Sequence, residues 1–220
     1  MLRLLAALLA LAILTSSSVV DARSLEWAIE KTGGPVDAHA LATTIEREAR
    51  RVSADPLTFV AFIWHESSWR SAAVGDGGRA IGLGQSHSWL YSAACKRISD
   101  PINNPSSACA AKRDALKIPA VAVRVMASSI DNARKQCRKR TKRSALFHRW
   151  LSLLGGRNHP RPAFKGVWCA QHRVTRGRRR VWRDLPWRTD RRFKGVREII
   201  DCRRSLLRGQ PCRREKRQRF

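Results

Sequence analysis

Apolar positions recur at helical spacing through most of this chain. The strongest segment opens at Asp55-Pro56, where Asp55 suits an N-cap and Pro56 the first helical position. Leu57, Val60, Ala61 and Trp64 come next at helical spacing, and Phe59, Phe62 and Ile63 occupy the other faces. The pattern therefore predicts a helix that is buried nearly all round and ends at Glu66. Its neighbours are amphipathic. Ser24 is the expected cap of a short helix through Trp27 that stops at Gly33-Gly34. Asp37 is the expected cap of a helix to about Ser53, with Leu41, Ala42, Ile45, Ala49 and Val52 on one face. A short helix is predicted over Ser86 to Cys95, then a loop from Asp100-Pro101 to Pro105 and a helix over Ser106–Lys117. Pro119 opens another to about Arg138, with Val121, Val125, Met126 and Ile130 as core positions. Ser144 caps a further helix, Ala145 to Leu154, stopped by Gly155-Gly156. Val196, Ile199, Ile200, Leu206 and Leu207 mark a closing helix that ends at Gly209. The expected fold class is mainly α. Residues 157–195 have no clean periodicity and read as a loop-rich insertion or partly disordered arm, and 210–220 as a frayed basic tail.

Composition changes this picture in two ways. The first concerns compartment. Residues 1–22 read as a secretory signal: Arg3 is basic, Leu4 to Leu14 is apolar, and Val20-Asp21-Ala22 suits cleavage. The run is too short to span a bilayer comfortably, and an uncleaved membrane anchor is the alternative. The predicted localisation is export, to a bacterial periplasm or the extracellular face of the envelope. All six cysteines (Cys95, Cys109, Cys137, Cys169, Cys202, Cys212) lie beyond this segment, and an even number in an exported chain points to disulfides. Cys95–Cys109 is the favoured pair because it would staple a short loop between two helices; free buried thiols are the other reading. No CxxC spacing, phosphate loop or metal motif is present, so no metal or cofactor is expected.

The second change concerns charge. The chain carries a net +27, and residues 134–220 hold +25 of it against +2 for residues 1–133. So basic a half seeks polyanions. In an exported protein these are anionic envelope polymers or a membrane surface. Nucleic acid is the usual reading of such a tail, but the export signal argues against it.

The candidate chemistry sits at the end of the central helix. Glu66 is the only acid between Asp55 and Asp76. A carboxyl held against Phe62, Trp64 and Trp69 loses hydration, which disfavours its charged form and raises its pKa. That is how a carboxylic acid stays protonated near neutrality and can donate a proton. Downstream lies a Gly-rich stretch, Val74-Gly75-Asp76-Gly77-Gly78-Arg79 and then Ala80-Ile81-Gly82-Leu83-Gly84-Gln85. Glycines here permit positive φ and close approach of a ligand to backbone.

Together, Glu66-Ser67, Trp69, Ala73, the Gly-rich turn and Gly82-Leu83-Gly84-Gln85 resemble the SLT family of lytic transglycosylases, related to goose-type lysozyme. Gly84 stands where the family has Met, and the turn is one residue longer. The likeness is strong over 55–85 and loose over 37–155. It implies a lysozyme-like helical domain over 23–156 with a Gly-rich substrate loop, continued by the basic arm of 157–220. It also implies action on peptidoglycan glycan strands. One Glu protonates the glycosidic oxygen; its carboxylate then accepts the proton of the sugar's own 6-hydroxyl, giving an anhydro sugar without consuming water. In this chain the Glu is Glu66, with Ser67 orienting it or merely capping the helix. Gly82, Leu83, Gly84 and Gln85 would hold the sugar, and Trp89 and Tyr91 would stack on it or pack in the core. The family's Ala-Tyr-Asn is missing: the chain reads Leu153-Leu154-Gly155-Gly156-Arg157-Asn158, and Tyr91 is its only tyrosine.

Other readings remain open at this level. Glycosidases generally need two carboxyl groups. If Asp76 reaches the cleft rather than forming a turn, it could activate water and give a lysozyme-type hydrolase. A non-catalytic cationic wall binder is the reading from another class. His39 is expected on the surface, and so is His87, for which contact with substrate two residues beyond Gln85 is the alternative. His65, adjacent to Glu66, points too far away to pair with it.

Overall fold

A computed structural model describes residues 22–87, 95, 106–141, 167–168, 171–176, 179–184 and 194–213. The described part is mainly helical. Its helices are α1 (Ala22–Lys31), α2 (His39–Arg51), α3 (Pro56–Glu66), α4 (Ser107–Ala115), α5 (Pro119–Thr141) and α6 (Lys194–Leu207). Between α3 and α4 lie three two-residue strands, β1 (Val74–Gly75), β2 (Ala80–Ile81) and β3 (Ser86–His87), in an antiparallel meander. A second antiparallel sheet, order β4-β5-β6, comprises Val167–Trp168, Gln171–Arg176 and Arg179–Asp184. Among the described residues no helix is long and apolar enough to cross a membrane.

The helical core is built around α3. Asp55 caps it by accepting the Leu57 N–H at 3.0 Å, and Pro56 supplies its first turn. Every residue from Leu57 to Trp64 is buried. One core unites these with Leu25 and Ile29 of α1, Ile45 and Ala49 of α2, Met126 and Ile130 of α5, and Val196, Ile199 and Ile200 of α6. A helix without a polar face needs partners on all sides, and the amphipathic faces of its neighbours provide them.

The closing helix is bound to α3 at both ends. Arg203 pairs with the Asp55 carboxylate, and His65 Nδ1 lies 3.1 Å from Glu198 Oε2. Gly195 makes the second contact possible: a Cβ there would meet the His65 imidazole at 2.8 Å. Cys202 and Cys212 lie at disulfide distance, 4.6 Å between Cα atoms, and fold the chain end back onto α6. Cys95 and Cys109, the pair favoured from sequence, lie at disulfide distance too, at 4.9 Å.

Four predicted elements need correction. Ser24 does not cap α1, because the helix already runs from Ala22 and Ser24 lies within its first turn. Asp37 does not cap α2. The helix starts at His39 behind Ala38, which is buried and makes no side-chain cap, while Asp37 is exposed. Burial of Ala38 sets the start, not a capping side chain. Ser86 does not open a helix, because Ser86 and His87 pair with Ile81 and Ala80 as the third strand of the meander. The arm expected to be loop-rich holds the β4-β5-β6 sheet. There Val174 pairs with Val181, and only Gly177-Arg178 separates the partners Arg176 and Arg179. A Gly-led pair between short β-prone runs is a hairpin signal, which the arginine content masked. The helix predicted over 145–154, the tail at 214–220 and the signal at 1–21 lie outside the described residues.

Glu48 of α2 shows how a purely structural buried acid is held here. Its side chain is 4% exposed and is met by Arg51 at 2.8 Å, Arg124 at 3.5 Å and Arg47 at 3.6 Å. Burial alone would raise its pKa, but the hydrogen bonds and charges of Arg51 and Arg124 outweigh it, and the pKa is lowered. A group with a lowered folded-state pKa stabilises the fold above its unfolded value, and that contribution disappears as pH falls through the folded value. Glu48→Gln should therefore cost roughly 2–3 kcal/mol at pH 7. Urea unfolding of variant and wild type should converge in acid.

Candidate functional site

Glu66 is the last residue of α3, and the backbone just beyond it is strained. Ser68 and Trp69 take φ of 52° and 66°, the left-handed region that bulky residues avoid. The cost is met by anchoring. Trp69 is buried and donates its indole N–H to the carbonyl oxygen of Thr32 at 3.2 Å and to its Oγ1 at 3.1 Å. This double left-handed step ends the helix at the carboxylate-bearing residue.

Glu66 is partly exposed, unlike the run from Leu57 to Trp64. Burial strips its carboxyl of hydration and pushes its pKa up to about 7. Among the described residues no other cause contributes, so none of them supplies a cation that holds it ionised. The two glutamates thus diverge: Glu48 is held ionised by arginines, whereas Glu66 is dehydrated and poised to exchange a proton near neutrality.

The Gly-rich loop is fixed largely by its own residues. Gly82 takes φ 75°, donates its N–H to the Ala73 oxygen at 2.9 Å, and lies so close to the end of α4 that a Cβ would land on the Leu116 carbonyl oxygen. Leu83 is buried in the core. A Cβ on Gly84 would sit 3.4 Å from Cβ and Sδ of Met126. At that distance an added Cβ would make ordinary contact with Met126 of α5. The Gln85 amide donates to the carbonyl oxygens of Ala73 at 3.2 Å and Gly82 at 3.0 Å, while its Oε1 covers Gly75. Across the loop, Arg113 of α4 donates to the Gly78 oxygen at 2.9 Å.

The residues picked out from sequence therefore divide. Glu66 is dehydrated and its pKa is raised, as expected of it. Ser67 is buried and donates its hydroxyl to the Ile63 oxygen at 3.2 Å, so its bond serves the helix end. Gly82, Leu83 and Gln85 are likewise engaged in building the loop. Trp89 and Tyr91 lie outside the described residues, as does the Leu153–Asn158 stretch. Asp76 opens the 3-10 turn Asp76–Gly78 with φ 51°, and its Oδ2 is 3.5 Å from His87 Nε2. His87, expected on the surface, is buried: strand pairing of β3 with β2 draws it inward. Its pKa is lowered, by burial first and by Arg79, against the opposing effect of Asp76. His39 is exposed as expected.

Comparison of the chain with protein-family models, curated proteins and solved structures returned no match. The functional reading accordingly rests on the residues and their geometry. Among the described residues no group of three or more His, Cys, Asp or Glu is placed to hold a metal ion. Sequence reasoning missed the partners that secure the site from a distance, namely Thr32 under Trp69, Glu198 beside His65 and Arg113 on Gly78. A glycine inside the amphipathic 194–207 segment, Gly195, was the one available signal of close helix contact.

Proposed function

We propose that this protein is an exported peptidoglycan lytic transglycosylase. It cleaves the MurNAc–GlcNAc β-1,4 bond and leaves 1,6-anhydro-MurNAc, on a lysozyme-like helical scaffold. The carrying observation is a single dehydrated carboxyl, Glu66, at the exit of a fully packed helix and at the root of a rigid Gly-rich loop. Protonated, Glu66 gives its proton to the glycosidic oxygen as the C1–O4 bond breaks. The resulting carboxylate takes the proton of the C6 hydroxyl as O6 bonds to C1, assisted by the N-acetyl group. The proton returns to Glu66, and one acid completes the cycle. The loop's backbone, held by Gln85 and Arg113, offers a preformed wall for the sugar. The +25 half would hold the enzyme on anionic envelope polymers.

A second reading, a non-catalytic wall binder, is favoured by the engagement of Ser67 and Gln85 in loop structure and by the missing Tyr-Asn. Incubation with purified peptidoglycan separates the two. Soluble muropeptides with anhydro ends are expected from the enzyme, and bound but intact peptidoglycan from a binder.

A further inference from the structure

The β5–β6 hairpin carries an arrangement that its role in the fold does not explain. Its twelve strand residues, Gln171–Arg176 and Arg179–Asp184, include five arginines, one histidine and one acid. Arginines on an edge strand are a common device against edge-to-edge pairing, and β6 is an edge. On its other side β5 is met by β4 only at Gln171 and His172, so edge protection accounts for arginines on both strands but not for their standing opposite one another. Register sharpens the point. Arg176 is opposite Arg179 and His172 opposite Arg183, with Val174 opposite Val181 between them. Alternation places these six positions on one face of the ribbon, without an acid. Directly opposed like charges weaken a strand pair. An anion lying across them removes that penalty.

We propose that this hairpin is a docking surface for a linear phosphate-bearing polymer without bases. The two basic pairs stand four residues apart along β5, about 13 Å. A chain of repeated charges spans that distance, and a single phosphate does not. A lipid surface fits less well: an interfacial element needs an apolar face, whereas arginines occupy both faces here, Arg173 and Arg180 on one and Arg176, Arg179 and Arg183 on the other. Nucleic acid is disfavoured by the export segment read at 1–22. The hairpin lies in the chain between α5 and α6, both of which pack on α3. Docking would therefore raise the local concentration of envelope polymer around the α3 domain.

The inference rests on the envelope-polymer part of the proposed function and deepens it. Its readout is binding, so absence of cleavage leaves it standing. The test measures affinity of the full chain for inorganic polyphosphate, duplex DNA and phosphatidylglycerol vesicles against salt. A triple variant, Arg176→Ser with Arg179→Ser and Arg183→Ser, is compared with a charge-matched control at the exposed Arg204, Arg208 and Arg213. The triple variant should weaken polyphosphate binding about ten-fold or more and lower the log–log salt slope by about 2. The control should shift it by less than about three-fold. Equal losses in both would mean net charge alone, and a larger loss on DNA or vesicles than on polyphosphate would assign another partner; either result overturns the proposal. If the triple variant fails to fold, single substitutions of Arg176 and Arg183 carry the same comparison.

Discussion

Replacing Glu66 by Gln should abolish cleavage of peptidoglycan, by about a thousand-fold or more, while leaving the fold intact. General acid catalysis alone contributes roughly 10²–10⁴-fold, and in the proposed reaction one group serves in both proton transfers. Gln has the same shape but no transferable proton. The same substitution should raise stability at alkaline pH. A carboxyl whose folded-state pKa lies at about 7, above its ordinary value of 4.5, is neutral and harmless below 4.5. Its burial then costs progressively more as pH rises to about 7, and the cost is constant above that. At full effect this is about 3 kcal/mol at most, and partial exposure of the side chain reduces it. Urea titrations of wild type and Glu66→Gln should therefore agree at pH 4 and separate by pH 8, with the variant more stable. Wild-type activity should fall as pH rises above about 7, as the acid form of Glu66 is lost. Variants that coincide at pH 8 would mean that Glu66 is ordinarily hydrated and unsuited to its assigned role.

The largest effect on stability is expected from Gly82→Ala. Two independent penalties meet at this position. Its φ of 75° is strained for any L side chain, and the added methyl would collide with the Leu116 carbonyl oxygen. That oxygen belongs to backbone at the junction of α4 and α5, next to the buried Leu116 side chain, so it cannot swing aside. The meander would have to shift bodily, with loss of the Gly82–Ala73 and Gln85–Gly82 bonds. We expect a loss of at least about 3 kcal/mol. Gly77 offers a matched control. It also has positive φ (63°), but nothing lies within 4 Å of an added Cβ, so Gly77→Ala should cost only about 1 kcal/mol. Thermal unfolding of the two variants compares strain alone with strain plus collision. Equal shifts would contradict the close contact of the loop with the end of α4.

Elements whose signal is local were legible from sequence. Asp55-Pro56 and the apolar run behind it specified α3, its cap and its burial without reference to anything distant. The helix expected over Ser106–Lys117 is α4, with Ser106 accepting the Cys109 N–H at 3.3 Å as its cap, and Gly209 ended α6 with φ 67°, as expected. The raised pKa of Glu66 was expected from aromatic neighbours a few residues from it in the chain. The features that escaped depend on tertiary approach. Capping the helix end is one of the two readings of Ser67 from sequence, but nothing near Gln85 announces that its amide is committed to Ala73 and Gly82, since hydrogen bonds of this kind are decided by how a loop folds over. His87 reads as polar beside serines, but pairing of β3 turns it inward. The hairpin of the arm was hidden because arginine dominates its strands, while its short β-prone core, Val174-Thr175 opposite Arg180-Val181, lies below the length at which alternation is convincing.

The central claim is that Glu66 alone carries a cleavage in which the sugar's own hydroxyl, not water, attacks. Digestion of purified peptidoglycan in ¹⁸O-water, with mass spectrometry of the new sugar ends, tests it most directly. The account predicts 1,6-anhydro-muramyl ends without ¹⁸O from the wild type and none from Glu66→Gln. Reducing ends that carry ¹⁸O would contradict it and turn attention to Asp76 as the group that activates water.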